Sequence, residues 1–225
     1  MKSIAYTAAL RRPLAEMLRA AAKRRIAYRE VDADELTRMA QSVHHEGVCL
    51  LVTARPTLKP AELLHAVGRQ GLVLALDGVE NPHNIGAILR SAAYFGVRGL
   101  VYTSADKNEA GPLPSAARRV AEGGAEHVPV LRMQELSSLL RAAKRADIAV
   151  IGAGAHANTS LDRFAWPERA VLVLGHEQRG LSREAEAQCD AIVRIAGGQQ
   201  VESLNVSVAA GIFLASYAGA HGAEP

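Results

Sequence analysis

The sequence predicts an α/β protein: a larger domain built on a parallel sheet, preceded by a smaller α/β unit. Two observations carry this prediction. From Leu72 onward, short apolar runs alternate with helix-patterned stretches. Those runs are continuously apolar rather than alternating, as strands covered on both faces must be. In addition, 49% of the 225 residues are hydrophobic but only 4% are aromatic. Ala, Val and Leu therefore have to build the core, which suits helices packed on a sheet.

In chain order, residues 4–7 read as a short strand. Pro13 can open a helix, and Leu14, Met17, Leu18 and Ala21 repeat at i, i+3, i+4, i+7 in a segment that runs to about Arg25. Residues 26–31 are strand-like, and Asp32 or Asp34 can cap a helix running to about Val43. Residues 48–53 form an apolar strand. Pro56, Pro60 and a short helical pattern then mark a linker and lead-in helix. The expected partition is a small unit over 1–55, a linker over 56–70 and the main domain over 71–225. In the main domain, strands are expected at 72–76, 99–103, 127–130, 148–153, 170–174 and 191–195. Helices are expected at 84–95, 115–123, 133–145, 182–188 and 204–218.

Composition narrows the partners. The 26 Lys and Arg against 23 Asp and Glu give a formal charge of +3, which permits a nucleic-acid partner without announcing one. Arg11, Arg12, Arg19, Lys23, Arg24, Arg25 and Arg29 cluster near the start, a pattern that also describes a solvated helix face. Cys49 and Cys189 form no CxxC pair and no Cys/His ligand spacing, so neither a disulfide nor a metal site is expected. There is no apolar signal core and no run of membrane-spanning length. A reducing cytoplasm and no membrane partner are the expectation.

Open parallel sheets bind ligands beyond the carboxyl ends of their strands. Three unusual segments lie at such ends. After Leu76 comes DGVENPHNIGAILR, where Asn81-Pro82 signals a turn, Asn84 can cap the next helix, Gly86 lets neighbouring backbone approach and Arg90 follows. After Leu174 comes GHEQRGLS, a dense polar turn holding His176, Glu177, Gln178 and Arg179 between Gly175 and Gly180. Glycine at both ends implies special backbone geometry or close approach of a ligand. After Ile195, Gly197-Gly198 break the strand, and Ser203 and Asn205 stand at the mouth of an apolar helix.

Together these segments resemble the three motifs of the SpoU (TrmH) family of SPOUT methyltransferases. Asn84, Gly86 and Arg90 match N-x-G-x-x-x-R; Gly175, Glu177, Gly180 and Leu181 match G-x-E-x-x-G-L; Ser203 to Ser207 match S-L-N-V-S. Order and spacing agree across roughly 150 residues, and three motifs in order are highly specific. The first unit resembles the small substrate-binding domain that precedes many members, with His45-Glu46-Gly47-Val48 standing for H-Q-G-V. The short segment before Ile4 leaves room for a first strand or helix of that domain to be missing from this chain.

The resemblance implies a parallel-sheet SPOUT domain with a C-terminal trefoil knot, a homodimer, S-adenosylmethionine as cofactor, and methyl transfer to a ribose 2′-hydroxyl of tRNA or rRNA. It implies Arg90, Asn84, Glu177, Ser203 and Asn205 as catalytic residues. It implies Leu174, Gly175, His176, Ile195, Ala196, Ser203 and Leu204 around the cofactor, with backbone groups near Leu174, Gly175, Ile195 and Leu204 holding it. Arginine keeps its charge in water, so stabilising a developing alkoxide suits Arg90 better than abstracting a proton. Two departures fall in the expected cofactor pocket. Ala196-Gly197-Gly198-Gln199 stands where Pro-Met and a later Gly are common, and His176 and Gln178 flank Glu177. A non-catalytic RNA-binding protein on the same fold is the alternative; it predicts loss of Arg90, Glu177 or Asn205, and all three are present.

Overall fold

Among the described residues, three short strands, two α-helices and a 3-10 turn at Ala8–Leu10 make the first of two units into which the chain divides, Met1–Pro56 and Thr57–Pro225. The computed structural model describes residues 1–53, 58–104, 113–198 and 200–222. Strands β1 (Ser3–Tyr6), β2 (Ala27–Glu30) and β3 (Val48–Leu51) pair in the order β2-β1-β3, with β2 parallel and β3 antiparallel to β1. Helix α1 (Ala15–Lys23) sets Leu18 and Ala21 against Ile4 and Tyr6. Helix α2 (Ala33–Ala40) sets Leu36 against Ala5 and Val31. Adjacent residues of β1 point to opposite faces, so one strand anchors both helices. Asp32 caps α2, its Oδ1 accepting from the Glu35 N–H at 2.7 Å. The seven clustered basic residues are all exposed, and Arg29 pairs with Glu35 at 2.6 Å.

The second unit is a seven-stranded sheet in which every neighbouring pair is parallel. It opens with helix α3 (Pro60–His65) and strand β4 (Gly71–Asp77). Helix α4 (Pro82–Tyr94), β5 (Gly99–Thr103), helices α5 (Ser115–Val120) and α6 (Gly124–His127), and β6 (Val130–Met133) follow. Helix α7 (Ser137–Arg145), β7 (Ala149–Ala153), β8 (Thr159–Ser160) and β9 (Arg169–Gly175) come next. Helix α8 (Arg183–Glu186), β10 (Ala191–Arg194) and helix α9 (Val206–His221) complete it. The strand order is β6-β5-β4-β9-β7-β10-β8, so β9 enters between two strands laid down earlier.

Both faces of the sheet are covered, as the continuous apolar runs predict. Leu72, Leu74 and Leu76 of β4 pack with Ile85, Ile88 and Leu89 of α4 and Phe213 and Leu214 of α9. Val73 and Ala75 face the other way, toward Leu63 and Leu64 of α3 and Leu139 and Leu140 of α7. Each fully buried leucine contributes about 1.5–3 kcal/mol of apolar burial. No helix among the described residues is long and apolar enough to cross a membrane.

The structure corrects two sequence expectations here. The strand expected at 127–130 runs from Val130 to Met133, and residues 124–127 are the short helix α6. Pro129 lacks the N–H a ladder position needs, so it can only lead into the strand; its carbonyl accepts from the Leu100 N–H. The helix expected from 133 accordingly starts at Ser137. Pro56 of the expected linker lies outside the described residues.

Candidate active site

Strands β4 and β9 are neighbours in register, Asp77 opposite Gly175, so their following loops leave the same edge of the sheet. After β4 the chain turns at Gly78, whose N–H donates to Thr103 Oγ1 at 2.8 Å. Val79 is buried, and Asn81 caps α4 by accepting from the His83 N–H at 2.9 Å. The cap is therefore Asn81, not Asn84 as the sequence suggested. Pro82 fits the first helical position, where no N–H is needed. Asn84 lies inside the first turn, and its carboxamide is released from capping for other partners.

The loop after β9 closes on itself. His176 and Gly180 exchange backbone hydrogen bonds of 3.0 and 2.8 Å. A Cβ on Gly175 would stand 2.2 Å from the Gly180 carbonyl carbon, and Gly180 has φ +68. The paired glycines thus serve the loop's own backbone. The far end is tied down by Ser182, whose N–H donates to Asp77 Oδ2 at 2.7 Å while its Oγ caps α8. His176 Nδ1 accepts from the Gln178 N–H at 3.0 Å, and half-buried Glu177 sits between them in sequence. The third segment ends where Asn205 caps α9, its Oδ1 accepting from the Ser207 N–H at 2.9 Å and the Ser207 hydroxyl at 2.6 Å.

The three segments meet through one carboxamide. Asn84 Nδ2 donates to Glu177 Oε1 at 2.5 Å, and Asn205 Nδ2 donates to Asn84 Oδ1 at 3.2 Å. Residues 93 and 121 positions away in sequence are joined by a single neutral amide that both gives and receives. Beside this relay lies a cleft of about 440 Å³ lined by Glu80, Asn81, Asn84, His176, Glu177 and Gln178.

The remaining sequence candidates take no part in the relay. Arg90 is exposed and pairs with Glu122 at 2.9 Å. Ser203 is exposed and, among the described residues, has no hydrogen-bond partner. Leu174 is 1% exposed within the core, so only its backbone can face a ligand. Ile195 is half-buried, and Ala196 and Leu204 are exposed. Among the described residues, no backbone–backbone hydrogen bond involves residues 196–198 or 200–204. Gln199 lies outside the described residues.

Sequence reasoning missed Asp77, Glu80 and Glu122. Asp77 carried a signal, since it is a charged residue directly ending an uninterrupted apolar strand. Glu122 carried none, because its meeting with Arg90 depends on how α6 seats on α4. A Cβ on Gly124 would lie 2.9 Å from the Leu89 carbonyl oxygen and 3.2 Å from Arg90 Cα.

Comparison with known proteins agrees with these motifs. The model of the SpoU rRNA methylase family matches residues 71–215, and that of the RNA 2′-O ribose methyltransferase substrate-binding domain matches residues 6–58. A 23S rRNA (guanosine-2′-O-)-methyltransferase RlmB from a Burkholderia species is 41% identical over 81% of this chain and 73% of its own length. The uncharacterised tRNA/rRNA methyltransferase YfiF of Escherichia coli O157:H7 is 39% identical over 90% of this chain; the match spans 57% of that relative's length. A putative RNA methyltransferase of the TrmH family from Porphyromonas gingivalis superposes with TM-score 0.71 at 27% identity, covering 96% of this chain and 81% of that one. The SpoU methyltransferase AviRb from Streptomyces viridochromogenes, solved with AdoMet, shares the fold with TM-score 0.80 at 24% identity over 96% of this chain and 81% of its own. The chain belongs to the SpoU rRNA methylase family.

Proposed function

We propose that this chain is an enzyme that methylates a ribose 2′-hydroxyl of RNA with S-adenosylmethionine as donor. The observation that carries this reading is the Asn84–Glu177–Asn205 relay, which gathers all three motif segments at the carboxyl edge of the sheet. The name of the Burkholderia relative favours ribosomal RNA as the target, with transfer RNA as the other candidate.

The loop before α9 fits the cofactor. Its peptide groups, engaged in no backbone hydrogen bond among the described residues, can meet the polar edge of an adenine, and Leu204, 43% exposed, offers apolar cover. The backbones of Leu174, Gly175, Ile195, Ala196 and Leu204 would hold the cofactor, with His176 and Ser203 beside them. Bound there, S-adenosylmethionine supplies an electrophilic methyl group on a cationic sulfur. The carboxylate of Glu177 holds the Asn84 amide, and Asn205 holds its carbonyl, so a hydroxyl entering the cleft meets a preset array. Arg90 offers donors and no acceptor, so it acts by stabilising the oxyanion that develops on the ribose as the 2′-hydroxyl proton passes to solvent water. To do so it exchanges Glu122 for RNA; both partners are mostly exposed, so that exchange costs about 1 kcal/mol or less.

The first unit is read as the RNA-binding domain, supported by its exposed basic residues and its family match. The insertion of β9 between β4 and β7 supports a trefoil knot in the C-terminal part. Exposed Tyr94 of α4 and Val208 and Ile212 of α9, on two helices that pack together, support a homodimer. The cytoplasm is the site of action in this reading.

The test is incubation with methyl-labelled S-adenosylmethionine and total RNA, beside an Arg90→Ala control, followed by digestion to nucleosides. Label in 2′-O-methylnucleosides that disappears in the control is the expected result. Label in methylated bases overturns the ribose assignment, and absence of both label and cofactor binding leaves a non-catalytic RNA-binding protein.

A further inference from the structure

We infer that Asp77 is a positioning residue for the reaction: its carboxylate fixes the Glu177 loop against the first turn of α4 and so sets the Asn84–Glu177 contact. The inference rests on the methyltransferase reading above. Asp77 ends β4, and the chain reaches Asn84 seven residues later. The same side chain accepts from the N–H of Ser182, 105 residues away, at 2.7 Å. One carboxylate thus serves as the common reference for two loops whose tips meet at 2.5 Å.

The sheet itself does not need this bond. β4 and β9 are already paired through seven residue pairs, from Gly71 opposite Arg169 to Asp77 opposite Gly175. The loop does need it. Between Gly175 and Ser182, apart from the Asn84–Glu177 contact itself, its anchors are the His176–Gly180 hydrogen bonds and half-buried Leu181. The His176–Gly180 pair closes the loop's neck but ties it to no other segment. The charge-assisted bond at Ser182 ties it to the end of β4. Asp77 lines no part of the cleft, so it acts through Glu177 rather than on a substrate.

Backbone geometry allows a clean test. Ser182 has φ −64, the value proline imposes, so Ser182→Pro deletes the donor N–H and its ring displaces the Asp77 carboxylate from that position. Ser182→Ala keeps the N–H and removes only the capping hydroxyl, and is the reference for it. Asp77→Ala removes the acceptor, and Asp77→Asn restores an acceptor of the same size. In the full-length chain with methyl-labelled S-adenosylmethionine and ribosomal RNA, Asp77→Ala and Ser182→Pro should each lower kcat about 10-fold against their references, with KM for RNA within about 2-fold. Asp77→Asn should recover most of the loss, and the double variant should be no worse than either single one. The Asn84 side-chain amide, identified in a ¹H–¹⁵N spectrum by its loss in Asn84→Asp, should move in Asp77→Ala and return in Asp77→Asn. Unchanged kcat in both Asp77→Ala and Ser182→Pro, or an Asn84 signal that does not move, overturns the inference. If the wild-type chain transfers no methyl group, the proposed function fails instead, and the Asn84 signal alone decides the role of Asp77.

Discussion

At residue 84 the side chain has to donate to a carboxylate and accept from an amide at once, and a carboxamide does both. Asn84→Asp sets a second carboxylate against Glu177 and lacks the donor. It should lower single-turnover methyl transfer more than Asn84→Ala does, and by about 10²-fold overall. An Asp variant faster than the Ala variant would remove donation from the account. Elsewhere, burial first, then the charges of Asp190 and Glu186, push the Cys189 thiol from 9.0 up to about 11. Its alkylation by iodoacetamide should therefore be slow at pH 8 in the folded protein and fast after unfolding. Because the folded value lies above the unfolded one, this thiol favours the fold below pH 9, and that contribution is lost as pH rises through about 11. A urea midpoint that ignored that window would contradict the assignment. Asn84, Glu177 and Asn205 were legible in the sequence because polar residues at strand ends and helix mouths stand out from apolar runs. Their mutual contacts were not legible, since sequence separation says nothing about which loops converge.

At the scale of elements, α4 carries the most constraint. Its first turn presents Asn84, its buried side packs on β4 and α9, and Gly86 receives α5 so closely that a Cβ would stand 2.5 Å from the Ala117 carbonyl oxygen. That neighbour is backbone and cannot rotate away. Gly86→Val should cost about 1–3 kcal/mol, a fall of roughly 2–12 °C in Tm, read by circular dichroism. An unchanged Tm would mean that α5 yields more easily than its backbone suggests. The helix was legible in the sequence, but its start was not. Asn81 and Asn84 are equally good caps by residue type, and Pro82 decides between them by taking the first helical position. The displaced β6 has the same origin: apolar content placed a strand near residue 128, but the missing N–H of Pro129 set its start.

For the molecule as a whole, the parallel class of the main sheet was readable from continuous apolar runs, but the strand order was not. Nothing in the run of residues 170–174 says that it belongs between β4 and β7. If the exposed basic residues of the first unit meet phosphates, RNA affinity should fall steeply as salt rises from 50 to 200 mM, with a log–log slope of about −0.7 to −0.9 per phosphate contacted. A salt-independent affinity, measured by fluorescence anisotropy, would assign that surface to solvent alone. The dimer reading is tested by Ile212→Asp, which should convert a dimer to a monomer in light scattering; an unmoved mass would place any interface elsewhere.

The relay also has a consequence for synthesis. Its three members leave the ribosome in the order Asn84, Glu177, Asn205, and β9 must find its place between β4 and β7 before the second can reach the first. A nascent chain halted before residue 205 carries a nearly finished sheet and an amide whose carbonyl lacks its donor. The joining of the three motif segments therefore comes late in translation, after the distant parts of the main domain have met.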